Sequence, residues 1–190
     1  MDNAIFVDPE ISKAKFEDQV GKWRALSREH GKRGIFLVDA CFPTAFAVFA
    51  APQLRPSPVV FGVQLNFDNY DFLPPSVRFL NPFTREPFVR ENLPTFFDKS
   101  KVPAGIPQMP FLQLQPAVMF QGETGEAFFC AEGVREYHNH PAHTGNPWLK
   151  YRTSGRGTLF HILDKLHEFG ISILKNYQFV IQVGGIQAGL

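Results

Sequence analysis

Apolar positions recur along this chain with two different periods, and the change from one to the other marks its elements. Phe16, Val20 and Trp23 stand at i, i+4 and i+7, the spacing of one face of an α-helix. Asp8 is placed to cap that helix and Pro9 suits its first position. A helix is therefore expected over residues 9–30, closed by the Gly31 to Gly34 segment. Short apolar runs at 35–38 and 46–50, the alternating VVFGVQLNF at 59–67, and a run at 76–80 behind Pro74-Pro75 predict four strands. From 81 to 116 the pattern is interrupted by Pro82, Pro87, Pro94, Pro103, Pro107 and Pro110. Proline fixes φ and donates no backbone hydrogen bond, so a long ordered loop with one or two short strands is expected there. Residues 112–120 and 127–130 read as strands around a turn at 122–125, and 131–157 as a second loop-rich stretch. Leu159, Ile162, Leu163 and Leu166 predict a last helix over 158–169, residues 177–183 a last strand, and 184–190 a flexible tail. The fold class is α+β: an N-terminal helix, a four-stranded antiparallel meander, a long proline-rich crossing and a C-terminal helix, in one domain over 1–190.

Composition supports a folded domain. Of 190 residues 44% are hydrophobic and 19% charged, values at which a core can be buried. The 21 phenylalanines are expected to carry much of that core. The net charge of +1 offers no field to attract nucleic acid or an acidic lipid surface, so neither is expected as a partner. The run Arg24, Arg28, Lys32, Arg33 reads as the solvated, basic end of the first helix. Residues 1–10 lack the basic-then-apolar order of a secretory leader, and no apolar run reaches the roughly 18 residues of a membrane span. The two cysteines, Cys41 and Cys130, form no disulfide framework, which points to a reducing cytoplasm. Cys41, in FLVDACF, is expected to be buried and inert.

The segment Tyr70-Asp71-Phe72-Leu73-Pro74-Pro75-Ser76-Val77-Arg78-Phe79 resembles the Tyr-Pro-x-x-Pro-Pro-x-Val-x-Phe signature of ubiquitin-conjugating (E2) enzymes. Tyr70, Pro74, Pro75 and Phe79 carry the likeness, and Asp71 stands where that family usually has proline. The resemblance follows element order over residues 10–170 and is specific over 61–80. A second, local resemblance is carried by Cys130, Glu136, His138 and His140-Pro141. Their order is similar to a bacterial Cys-Glu-His-His family, named for a metal site expected from residue types and associated with ubiquitin-like conjugation operons. Together the resemblances imply a UBC-like domain in such a pathway, with a ubiquitin-like protein or an E1-like enzyme as partner. They imply an accessory, non-catalytic E2 variant first, because no His-Pro-Asn precedes Cys130 as it precedes the E2 cysteine.

Three readings of residues 125–148 stay open. In one, Cys130 is a nucleophile that carries the modifier as a thioester, since a thiolate both attacks and leaves well near neutral pH. Gly125 to Cys130 is similar to the stretch ending in the E2 cysteine, and Trp148 to the tryptophan after it. In another, Cys130, Glu136, His138 and His140 bind zinc, with His143 as a spare ligand. This requires 136–140 to be extended, so that alternate side chains share a side. In the third, the same groups form a hydrogen-bonded network that holds the loop. In the last two readings the four side chains converge. Ser154 to Gly157 reads as a turn before the last helix, and His161 and His167 as packing or surface residues. There is no Gly-x-Ser-x-Gly and no dinucleotide fingerprint.

Overall fold

The computed structural model describes residues 6–89, 118–121 and 125–176. Helix α1 spans Pro9–Ala25, with the Asp8 carboxylate accepting the Glu10 N–H and Pro9 in the first turn. The chain turns at Leu26 and resumes as α2, Ser27–Lys32, so the expected single helix over 9–30 is two. Gly34, at φ 81°, then releases the chain into the sheet; a side chain there would run into the Ala50 carbonyl.

Strands β1 (Ile35–Cys41), β2 (Thr44–Ala50), β3 (Val59–Asn66) and β4 (Ser76–Leu80) form the expected antiparallel meander. Two further strands, β5 (Val118–Gln121) and β6 (Glu126–Phe129), extend it to six among the described residues, in the order β1-β2-β3-β4-β6-β5. One face carries Ala45, Ala47, Phe49, Phe61, Val63, Leu65, Val77, Phe79 and Phe129, alternate residues of each strand. Against it pack Phe16, Val20 and Trp23 of α1, and Leu159, Ile162, Leu163 and Leu166 of helix α4 (Leu159–Gly170). The periods read from the sequence thus name the buried faces of both helices. The expected long crossing falls largely in 90–117, and the expected last strand and tail in 177–190, all outside the described residues.

Cys41 corrects an expectation: it is exposed, not buried. The β1–β2 register shifts between Leu37 and Asp39. The extra residue reverses the alternation, so half-buried Ala40 takes the inward place and Cys41 turns to solvent beside the hairpin. Arg33 is also not purely solvated, because its guanidinium bonds Asp164 at 2.6 Å and His167 Nδ1 at 3.2 Å on α4. No helix among the described residues is long and apolar enough to cross a membrane.

The bend between β3 and β4 is where these elements are tied together. Ser12 Oγ of α1 donates to the Tyr70 carbonyl at 2.7 Å. The Asp71 carboxylate bonds Lys15 of α1 at 2.7 Å and Arg152 at 3.0 Å, and its carbonyl accepts the Trp148 indole N–H at 3.0 Å. Arg135 donates to the Pro74 carbonyl at 3.0 Å, to the Asp68 carbonyl at 2.9 Å and to Asp68 Oδ1 at 2.7 Å. The Tyr70–Phe79 segment leaves one strand, bends at Pro74-Pro75 and enters the next, and it anchors the loop that carries the candidate site.

Candidate functional site

Cys130 directly follows β6 and is buried by the core beneath it. The chain then turns through Gly133, at φ 98°, where a side chain would meet the Arg156 backbone. It next forms one short helix, α3 (Arg135–Asn139), followed by 3-10 turns at Pro141–His143 and Trp148–Lys150. The segment 136–140 is therefore not the extended strand that the shared parity of Glu136, His138 and His140 required. On a helix, residues two apart point to opposite sides.

The consequence is that these side chains diverge. Glu136 faces β4, where its carboxylate accepts from Ser76 Oγ and from the Val77 N–H at 3.1 Å. Burial holds its carboxyl above the ordinary range, while these two hydrogen bonds and Arg135 act in the opposite sense. His138 turns to its own loop. Its Nε2 accepts the Gly133 N–H at 3.2 Å, so the proton sits on Nδ1, which donates to the Asn146 carbonyl at 2.8 Å. Burial lowers its pKa, against the opposing effect of the Asn146 bond. His140 accepts from the Ala142 N–H and lies near the Phe128 ring. Among the described residues no three His, Cys, Asp or Glu side chains gather as a metal-ligating group. The four candidate ligands do not fit one zinc ion, because Glu136 is committed to β4 and His138 to two backbone partners.

Cys130 meets instead the histidine held in reserve. Its Sγ lies 3.5 Å from His143 Nε2, and the His143 ring stacks on Tyr137 with centroids 4.0 Å apart. A cleft of about 440 Å³ opens over this pair, with Glu132, Arg156, His161 and Lys165 on its walls. Arg156 and Glu132 form an ion pair across it, and the Tyr151 hydroxyl lies 3.1 Å from the Glu132 carboxylate. Burial and the nearby charges of Lys165 and Arg156 lower the pKa of His161, against the opposing charges of Asp164 and Glu168. A thiol against an imidazole in a cleft that admits small groups is an arrangement for nucleophilic chemistry.

The sequence points to Cys130 but not to its partner, and it reads His161 as a packing or surface residue. His161 and Lys165 stand four apart on α4, turned away from the apolar face of Leu159, Ile162, Leu163 and Leu166, so helical spacing gave no signal that either lines a cleft. Gly157 marks the other boundary of the loop: a side chain there would meet the Trp148 ring at 2.5 Å.

The molecule is thus an α+β protein whose antiparallel sheet and closing helix hold a thiol–imidazole pair at one end. It belongs to the Y4jH family, whose model matches residues 7–174. A relative from Sinorhizobium fredii (strain NBRC 101917 / NGR234), carrying the description uncharacterized protein y4jH, is 37% identical over 190 residues, which spans 95% of this chain and 93% of the relative.

Proposed function

We propose that this Y4jH-family protein is an E2-like conjugating enzyme that carries a ubiquitin-like protein on Cys130. The observation that supports this is the Cys130 Sγ to His143 Nε2 distance of 3.5 Å beneath an open cleft. His143 takes the thiol proton, and the thiolate attacks the thioester carbonyl that an E1-like enzyme presents. The new Cys130 thioester forms as the E1 thiolate leaves, and the proton returns to that thiolate. An acceptor amine then attacks the carbonyl, forming an amide and releasing the Cys130 thiol. The resemblance of Tyr70–Phe79 to the E2 signature, and the anchoring of the site loop on that segment, support this reading over an unrelated thiol hydrolase.

The accessory reading keeps one observation: the sequence places no His-Pro-Asn before Cys130, and His140-Pro141-Ala142 follows it. Incubation with the E1-like enzyme and ubiquitin-like protein of the same genomic neighbourhood separates the two. The expected result is an adduct on Cys130 that is cleaved by excess thiol, absent in Cys130→Ala, and formed at least about 10²-fold more slowly in His143→Ala. A stable complex that Cys130→Ala leaves intact, with no adduct in the parent protein, would establish the accessory role instead.

A further inference from the structure

Asn146 follows the 3-10 turn that carries His143, in the sequence His143-Thr144-Gly145-Asn146-Pro147. All four of its polar groups are engaged. Its N–H donates to the His143 carbonyl at 2.9 Å, and its carbonyl accepts from His138 Nδ1 at 2.8 Å. Its side-chain NH2 donates to the Tyr137 hydroxyl at 2.7 Å, and its side-chain oxygen accepts from the Tyr151 hydroxyl at 2.5 Å. The Tyr137 ring in turn lies almost parallel to the His143 ring, at 19° with centroids 4.0 Å apart.

A ring stacked on another ring is fixed in height and tilt, and its edge then points where the stack allows. The edge of His143 that carries Nε2 points at Cys130 Sγ. The place of the Tyr137 ring is set at its far end by the hydrogen bond from Asn146. We propose that Asn146 is the positioning residue of this site: acting through Tyr137, it holds His143 against Cys130. This rests on the reading of Cys130 and His143 as a working pair. Asn146 itself bonds Tyr137, Tyr151, His138 and the His143 backbone, so its role is indirect. The other titratable or charged groups facing the pair are Glu132 on its loop, Arg156, His161 and Lys165 across the cleft, and His140 beside His143.

The experiment uses the full chain with Cys41→Ser, which removes the exposed thiol and leaves Cys130 as the one cysteine. The rate of alkylation of Cys130 by iodoacetamide is followed from pH 5 to 10, with a thermal melt of each variant. His143→Ala should move the midpoint of the rate profile up by about one pH unit, toward the ~8.5 of an isolated thiol, a tenfold loss of rate at the acid end. Asn146→Ala and Tyr137→Phe should each move it the same way, with a loss of about threefold or more. The double variant should move no further than the larger single effect, because both changes delete one hydrogen bond. Tyr137→Phe keeps the stacked ring and carries the test if Asn146→Ala does not fold. A lower melting temperature with an unmoved profile in both single variants, while His143→Ala shifts, would overturn the role of Asn146 and leave the pair standing. A profile that His143→Ala also leaves unmoved would overturn both.

Discussion

His30 lies flat against Trp23, with ring centroids 3.5 Å apart and planes 6° from parallel, and Phe160 packs edge-on against both rings. Neither ring nitrogen meets a protein hydrogen-bond partner among the described residues. Burial lowers its pKa from the usual 6.5; Arg33 adds to this, while Asp164 and Glu29 oppose it. The folded ring therefore takes up a proton less readily than the unfolded one, and the unfolded chain is protonated first as the pH falls. Stability should be level above about pH 6.5 and fall below it. His30→Phe should remove the part of that slope due to this ring and raise stability at pH 7 by about 1 kcal/mol, since a buried unpaired polar group is lost. Urea midpoints of parent and variant at pH 5.5 and 7.5 test this, and equal slopes would contradict it. The sequence placed Phe16, Val20 and Trp23 in the core because their spacing is a property of the helix alone. It could not place His30 there, or Cys41 outside. Those outcomes depend on the break at Leu26 and on the β1–β2 register shift, which partner elements decide.

At the scale of elements, α3 shows how one local choice redistributes a whole site. Arg135-Glu136-Tyr137-His138-Asn139 reads equally well as strand or helix by parity, because five residues contain little more than one helical turn. The helix wins, and it sends Arg135 and Glu136 to the β3–β4 bend while Tyr137 goes under His143. The three residues sorted together by sequence are sorted apart by a 100° rotation per residue. The pair that does form, Cys130 and His143, spans thirteen residues and needs two turns to close, which no periodicity announces. If Glu136 serves as a staple between α3 and β4, Glu136→Ala should cost about 1–3 kcal/mol, because Ser76 Oγ and the Val77 N–H lose their acceptor. Added zinc should leave the melting temperature of the parent unchanged. A zinc-dependent rise in the parent that Glu136→Ala abolishes would restore Glu136 as a ligand.

On the scale of the whole molecule, the bend at Tyr70–Phe79 joins parts of the chain that are far apart in sequence, and Asp71 is its charged centre. Its sequence signal was the most specific in the chain because paired prolines fix backbone angles without help from the rest of the fold. What the sequence did not reveal is what the aspartate before this bend does. Its carboxylate answers Lys15 on α1 and Arg152 beyond the site loop, and its carbonyl holds Trp148. Burial alone would raise the Asp71 pKa, but the hydrogen bonds and charges of Lys15 and Arg152 outweigh it and hold the carboxyl below its usual 3.8. A depressed carboxylate stabilises the fold above the unfolded value, and that contribution is lost as the pH falls through the folded one. Asp71→Ala should therefore be less stable than the parent at pH 7 by about 1 kcal/mol, a modest figure because both cations are partly exposed. The difference should shrink progressively as the pH is taken below about 3.8. Because Arg152 follows the Trp148–Lys150 turn, the same variant should also loosen the loop behind Cys130 and speed amide hydrogen exchange over residues 148–156 more than in β2 or β3. Equal urea midpoints at pH 7, or faster exchange spread evenly over the sheet, would show that the bend is held by its prolines and hydrophobic packing and that Asp71 is a spectator.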